Sequence, residues 1–211
     1  KLLYKQCRSY LQAFGLKENT IRCAFAEALR EQSAYEAELA AYNKEVLAQA
    51  RAKNKLIIML AGRPYHTDSL IQHKVSDMIA AMGVYVITDD VVRGENISIA
   101  DTIYLSQWAY PNRILKAAKW AGTQRDDVQF MQLTSFGCGP DAFLTNEVRA
   151  TLERYHKNLT LLKIDDVSNI GSIKLRVRSL IESISLGVRE REARREEAFE
   201  TTPVFTKAER R

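Results

Sequence analysis

The segment KLIIMLAGRPYHTD, residues 55–68, decides the fold. A continuous apolar run ends at a glycine and is followed by a polar loop. Such an uninterrupted run is typical of a parallel strand, because helices cover parallel strands on both faces. The loop then leaves the carboxyl end of the strand, which is where ligands bind in open α/β sheets. The segment therefore predicts the fold class and also the edge of the sheet where a site would lie.

Strand-like and helix-like segments alternate four times after residue 55. The strand-like segments are LIIML (56–60), VYVITDD (84–90), VQFMQLTSF (128–136) and LTLLKIDD (159–166). The helix-like segments are SLIQHKVSDMIAAMG (69–83), PNRILKAAKW (111–120), TNEVRATLERY (145–155) and SIKLRVRSLIESI (172–184). This alternation indicates βαβ units with right-handed crossovers. We predict an α/β fold: a Rossmann-like parallel sheet of about four strands with helices on both faces.

A long helix is predicted before the sheet. Residues 16–61 contain no glycine or proline, and apolar side chains recur at roughly helical spacing from Ile21 to Val46. A kink or a break near Ser33 is an open alternative. We expect three parts: an N-terminal helical segment (1–53), the Rossmann-like α/β domain (54–186), and a charged tail (187–211) leading into a missing domain. The first residues show neither a signal-peptide core nor an initiator methionine, so we expect a piece of a longer chain.

Composition and charge argue against several classes of function. The net charge is only +5, and 31 basic residues are interleaved with 26 acidic ones, so no nucleic-acid partner is expected. No apolar run reaches the roughly 18–20 residues of a membrane span, so no membrane partner is expected. Cys7, Cys23 and Cys138 lie far apart without a C-x-x-C spacing. This pattern argues against a disulfide framework or a self-contained zinc site and favours a cytoplasmic location.

The loops predicted at the carboxyl ends of the strands carry the candidate substrate- or cluster-surrounding residues. They are Gly62, Arg63, Tyr65 and His66 after the first strand, Gln107 and Trp108 in the connection after the second strand, and Ser135, Gly137, Cys138 and Gly139 after the third strand. An arginine can bind a phosphate or carboxylate through two hydrogen bonds. Each candidate also has a structural explanation: Arg63 and His66 as ties within their loop, Trp108 as core packing. No Walker A or G-x-G-x-x-G motif follows the first strand.

Several segments together resemble the 2-hydroxyacyl-CoA dehydratase superfamily. They are LAGRPYHTDSLIQHKVSDMIAAMGVYVITDD (60–90), QWAYPNRILKAAKW (107–120), QLTSFGCGPDA (132–142) and LKIDDVSNIGSIKLRVRSLIES (162–183). The closer resemblance is to the dehydratase-like part of long bacterial proteins described as CoA-substrate-specific enzyme activase-related, or 2-hydroxyglutaryl-CoA dehydratase activators. It covers roughly residues 20–186, with the segments in one order.

The resemblance implies a 4Fe–4S cluster in the intact protein, held by cysteines from more than one domain. Cys138 in SFGCGPD is the matching metal ligand, and the flanking glycines would let backbone amides approach the cluster sulfurs. A cubane takes about four ligands, and Cys7 and Cys23 do not match the family's other cysteines. No cluster is therefore expected on this fragment, which should be inactive alone.

The implied partners are the remaining domains of the same long chain, including an ATP-dependent activase module, and an acyl-CoA substrate. Together they would form a lyase or redox system of the dehydratase type. Two alternatives remain open at this point. One is a non-catalytic α/β scaffold that docks a partner without any cluster, and the other is a small phosphate- or nucleotide-binding module. No catalytic residue is assigned from the sequence.

Overall fold

The chain forms a four-stranded parallel sheet flanked by helices, seen in a computed structural model that describes residues 2–102, 108–135, 137–164 and 170–200. The strands are β1 (Ile57–Ala61), β2 (Tyr85–Thr88), β3 (Val128–Ser135) and β4 (Thr160–Ile164). The helices are α1 (Leu2–Gln12), α2 (Glu18–Ala52), α3 (Val75–Ala81), α4 (Ala109–Thr123), α5 (Gly139–Glu153) and α6 (Ile170–Glu200). The strand order is β2-β1-β3-β4 with every pair parallel, which confirms the predicted fold class.

The central position of β1 explains its continuous apolar sequence. It pairs with β2 on one side and β3 on the other, and all five of its residues are buried. Ile57 and Met59 share one face with Phe130 of β3, and the inner sides of α4 and α5 pack in the same core cluster. A strand whose two faces are both covered by helices favours apolar side chains at every position.

The long helix α2 is continuous over 35 residues, without the break near Ser33 that the sequence left open. Its second half is anchored to the sheet domain, since Asn43 Oδ1 accepts the backbone N–H of Thr88 at 2.6 Å. Along its first half only Ile21 is buried, and α1, which the sequence analysis did not predict, packs against this part. Of the predicted apolar residues in this half of α2, Leu29 and Tyr35 are exposed.

Helix α3 is shorter than predicted. The sequence favoured a helix over 69–83, but regular helix begins at Val75. Asp68 Oδ1 accepts the backbone N–H groups of Leu70 and Ile71, and such a local side-chain bond competes with helix formation. His73 and Lys74 then adopt left-handed backbone conformations. Leu70 and Ile71 consequently point into solvent rather than onto the sheet.

The chain divides into two compact units, Lys1–Asp165 and Asp166–Arg211. The sheet and helices α1–α5 belong to the first unit. The second contains α6, a helix of 31 residues that extends well beyond the predicted segment 172–184 and into the charged tail. The predicted boundaries after residues 53 and 186 stay a prediction. Within the described residues, no helix has the length and apolar character required to cross a membrane.

Candidate functional site

Two loops predicted to meet at the carboxyl ends of the strands do meet there. Arg63 lies in the loop after β1, two residues beyond its end, and Cys138 lies between β3 and α5. The Arg63 Nη2 atom is 3.3 Å from Cys138 Sγ and 2.8 Å from Asp141 Oδ1. A cation, a thiol and a carboxylate thus occupy one edge of the sheet; we call Arg63, Cys138 and Asp141 the rim cluster.

The carboxylate of Asp141 connects the rim cluster to the buried part of the sheet. Its second oxygen accepts the hydroxyl of Thr134 at 2.8 Å, so both oxygens are bonded while the side chain is almost completely buried. Asp141 lies in the first turn of α5, where the helix dipole favours a negative charge. Burial by itself would lower the pKa of Arg63, but the hydrogen bond and charge of Asp141 and the nearby Cys138 raise it. Arg63 therefore stays a cation held at a fixed position.

His66 locks the loop that carries Arg63. Its Nδ1 accepts the backbone N–H of Arg63 at 3.1 Å, so the neutral ring carries its proton on Nε2, which lies 3.3 Å from Ser135 Oγ. In this tautomer Nε2 donates to Ser135 and cannot serve as a base for it. A Cβ at Gly62 would lie 2.7 Å from His66 Nδ1, so glycine is required for this close approach. His66 is a positioning residue for Arg63.

We expect His66 to make the fold less stable as the pH drops from 7.5 towards 6. Burial, assisted by the Arg63 charge, lowers the pKa of His66 despite the opposing Asp141 carboxylate. Just below pH 6.5 the unfolded chain therefore binds a proton that the folded chain resists, and unfolding becomes easier. The slope is at most one proton, or about 1.4 kcal/mol per pH unit. Urea unfolding at several pH values measures it.

The His66→Gln variant should flatten this pH dependence, whereas His156→Asn should retain it. His156 is exposed and has a left-handed backbone that asparagine tolerates. The buried carboxyl of Asp89 has the opposite effect on stability. Burial raises its pKa to about 6, so near that pH the folded chain takes up a proton that the unfolded chain does not, and folding is favoured. The variants are therefore compared above pH 6. An unchanged slope in His66→Gln would show that another group causes the acid sensitivity.

The turn around Cys138 needs one of its two glycines. Gly137 has φ +71°, a left-handed conformation that side chains disfavour, whereas a Cβ on Gly139 would meet no atom within 4 Å. Cys138 itself precedes the first turn of α5 and is half-buried. It lines a surface cavity of about 390 Å³ together with Ser135, Asp141 and Lys163. The thiol is therefore accessible from outside the protein.

The remaining predicted site residues lie around this cluster or apart from it. Tyr65 is about half exposed, and its ring packs edge-on against His66. Trp108 precedes α4 with 45% of its surface exposed, outside the lining of the Cys138 cavity. Gln107 falls outside the described residues. The sequence analysis missed Asp141 and Thr134, although an acid in the first turn after a glycine-rich loop was a usable signal.

The described residues offer at most one thiolate to an iron–sulfur cluster at this position. None of their histidine, cysteine, aspartate and glutamate side chains form a group of three or more that could hold a metal ion. Cys138 suits the role of a single ligand, because its thiol is accessible and lies beside the amino end of a helix and a cation. Any further ligands would have to come from other segments.

Comparison with known proteins gives one partial match. Residues 1–92 match the family model described as CoA enzyme activase uncharacterised domain (DUF2229). The matched part contains α1, α2, β1, the loop with Arg63 and His66, α3 and β2, and it ends before Cys138. It supports a relationship to CoA enzyme activase-related proteins over somewhat less than half of the chain. No curated protein matches this chain.

Proposed function

We propose that this chain is part of a CoA-substrate-specific, activase-related dehydratase system, in which the rim cluster forms one face of an iron–sulfur cluster and acyl-CoA site. The observation that carries the proposal is the meeting of Arg63, Cys138 and Asp141 beside an open cavity at the carboxyl ends of parallel strands. The match of residues 1–92 to a CoA enzyme activase domain supports the proposed setting.

Each residue of the rim has a distinct task in this proposal. Cys138 provides one thiolate ligand, and Arg63 stabilises the negative charge that a thiolate or its ligand develops. Asp141 keeps the guanidinium aimed at Cys138, while His66 and Gly62 fix the loop from which Arg63 extends. A bound 4Fe–4S cluster would supply one-electron chemistry. The other ligands and an ATP-dependent module would come from further domains in the cytoplasm.

The Cys138→Ser variant of the intact protein should lose most of its iron after anaerobic reconstitution. Oxygen is a poor replacement for a thiolate in such clusters, and the other cluster ligands alone hold the iron less firmly. Iron and sulfide analysis, together with the visible absorption of the cluster, measures the loss. The fold should survive, because serine nearly conserves the volume of cysteine and Cys138 is only half-buried.

The matched control is Cys23→Ser, on the exposed surface of α2, which should keep the iron content of the unchanged protein. Equal iron in both variants would remove Cys138 from the ligand set. The alternative function, a docking domain without a cluster, would then be preferred. It is favoured by exposed apolar side chains on α1, on α2 and in the turn between them, among them Tyr10, Tyr35 and Phe14.

A further inference from the structure

Two buried polar side chains flank a small residue on the face of the sheet that α4 and α5 cover. Gln132 of β3 is the partner of Ala61 of β1 in the parallel register. On the other side of β1, Thr88 is the last partner, facing Leu60, and Asp89 follows it at the start of a 3-10 turn, beside the end of β1 at Ala61. Asp89 bonds to Arg113 of α4, so it lies on the same face as Gln132. Across the sheet these residues therefore lie in the order Asp89, Ala61, Gln132, and we call the three of them the row.

Both polar side chains keep atoms without a protein partner. Gln132 and Asp89 are fully buried, yet neither Nε2 nor Oε1 of Gln132 forms a hydrogen bond to the residues that the structure describes. Asp89 Oδ2 accepts from Arg113, but Oδ1 is likewise unpartnered. Buried polar groups are nearly always hydrogen-bonded, because leaving one unsatisfied costs about 1–3 kcal/mol. A fully buried glutamine with both amide atoms unpaired is thus an indication of an occupant.

The spacing in this row suits a small bridging molecule. Neighbouring strands lie about 4.8 Å apart, so the backbones at Asp89 and Gln132 are separated by roughly 10 Å. A water molecule that accepts from one side chain and donates to the other spans about 5–6 Å, since each hydrogen bond is about 2.8 Å long. Ala61 between them carries only a methyl group, which occupies less room than any larger side chain would. One water molecule could bridge the two side chains and satisfy a donor and two acceptors.

We propose that the row Asp89, Ala61, Gln132 is a binding site for ordered internal water, which bridges the carboxylate of Asp89 to the amide of Gln132. The water donates to Asp89 Oδ1 and accepts from Gln132 Nε2, and a second donor bond reaches Gln132 Oε1 directly or through another water. The site ties the carboxyl end of β2 to the middle of β3 across β1. It does not depend on the proposed function of the rim cluster.

The same site reaches towards the rim cluster. Gln132 lies two residues before Thr134 on the same face of β3, and Thr134 bonds to Asp141, which in turn holds Arg63. The Nε atom of Arg63 is also buried without a partner. In this proposal, a further internal water beneath the guanidinium would give this donor an acceptor. The bridge would therefore position Arg63 from the interior, while Asp141 positions it from the side.

The Gln132→Met variant separates an occupied site from an unoccupied one by the sign of its effect. If water bridges the amide, methionine removes those bonds and should lower the Tm by about 3–6 °C for a chain of this size. If the amide is unsolvated, methionine removes two unsatisfied atoms and raises the Tm, which would overturn the proposal. Gln129→Met on the same strand is the control, because Gln129 is partly exposed and bonds only to Asp126 O among the described residues. It should shift the Tm by no more than about 1 °C.

A second measurement uses the unchanged protein and so does not depend on whether the variant folds. Nuclear Overhauser spectra should show a contact between water and the side-chain amide protons of Gln132, with the sign that marks a long-lived internal water. The exposed amide of Gln32 should show only the signature of rapidly exchanging surface water. A Gln132 amide with no water contact would overturn the proposal independently of the stability result.

Discussion

Replacing Lys157 by methionine is expected to lower the free energy of unfolding by about 3–5 kcal/mol, because three hydrogen bonds from a charged donor are lost. The Nζ atom of this buried lysine donates to the backbone carbonyls of Ala121 at 2.7 Å, Arg125 at 3.0 Å and Val128 at 3.0 Å. These bonds join the end of α4 to the start of β3. Methionine fills the same space but removes all three bonds, and the carbonyls of Ala121 and Arg125 keep only their turn bonds from Gln124 N and Val128 N. Urea unfolding with an unchanged m-value would measure the loss.

The control for this experiment is Lys119→Met on the outer side of α4. Lys119 donates to Ser98 O at 2.9 Å and to Asp101, but its side chain is partly exposed and its bonds are open to solvent, so water replaces them when they are lost. Its effect on unfolding should be small. If the two variants lost equal stability, the buried carbonyls around Lys157 would have to be solvated by another route, and the bonds of Lys157 would contribute little.

Lys157 also shows where sequence reasoning ends. It stands in the polar turn HKNL, and nothing local distinguishes it from a surface lysine. Its three acceptors are 29–36 residues away along the chain, so only the tertiary packing makes it a structural residue. The parallel sheet was predictable for the opposite reason: the continuous apolar run at β1 reports burial on both faces, and such burial has few structural solutions.

Local bonds and left-handed residues explain the errors in the helices. Apolar spacing extended α3 back to residue 69, but the bonds of Asp68 and the conformation of His73 and Lys74 exclude a helix there. Helix α1 was missed although Leu3, Cys7 and Leu11 recur at helical spacing; it has only 11 residues, and none of them is buried. Spacing records which residues face one way, but it does not record how the backbone enters a helix.

The rim was predictable as a place and less so as a set of interactions. Topology brings the loops after β1 and β3 to one edge, and this indicated that Arg63 and Cys138 would be neighbours. The carboxylate between them was missed, because Asp141 resembles any acidic residue in the first turn of a helix. Its pairing with Arg63 depends on Gly62 and His66 turning the loop back over the sheet, which spacing alone does not indicate.

Replacing Asp141 by alanine is expected to destabilise the fold by about 3–5 kcal/mol, because it leaves the half-enclosed charge of Arg63 without its partner. Thr134 loses its acceptor in the same step. The matched control is Asp101→Ala, which also removes a carboxylate bonded to two cations, Lys119 and Arg154, but on the surface. That control should leave the midpoint of urea unfolding nearly unchanged.

A double variant separates the net contribution of the ion pair to stability from the cost of leaving one of its charges unpaired. Arg63→Met combined with Asp141→Leu removes both charges and leaves apolar side chains of similar size, which is often nearly neutral for a buried ion pair. We expect it to recover most of the stability that Asp141→Ala loses, while the hydrogen bond to Cys138 disappears. Recovery would mean that the pair serves to orient Arg63 rather than to stabilise the fold. A double variant as unstable as Asp141→Ala would instead assign the loss to Thr134 and to the packing of the first turn of α5.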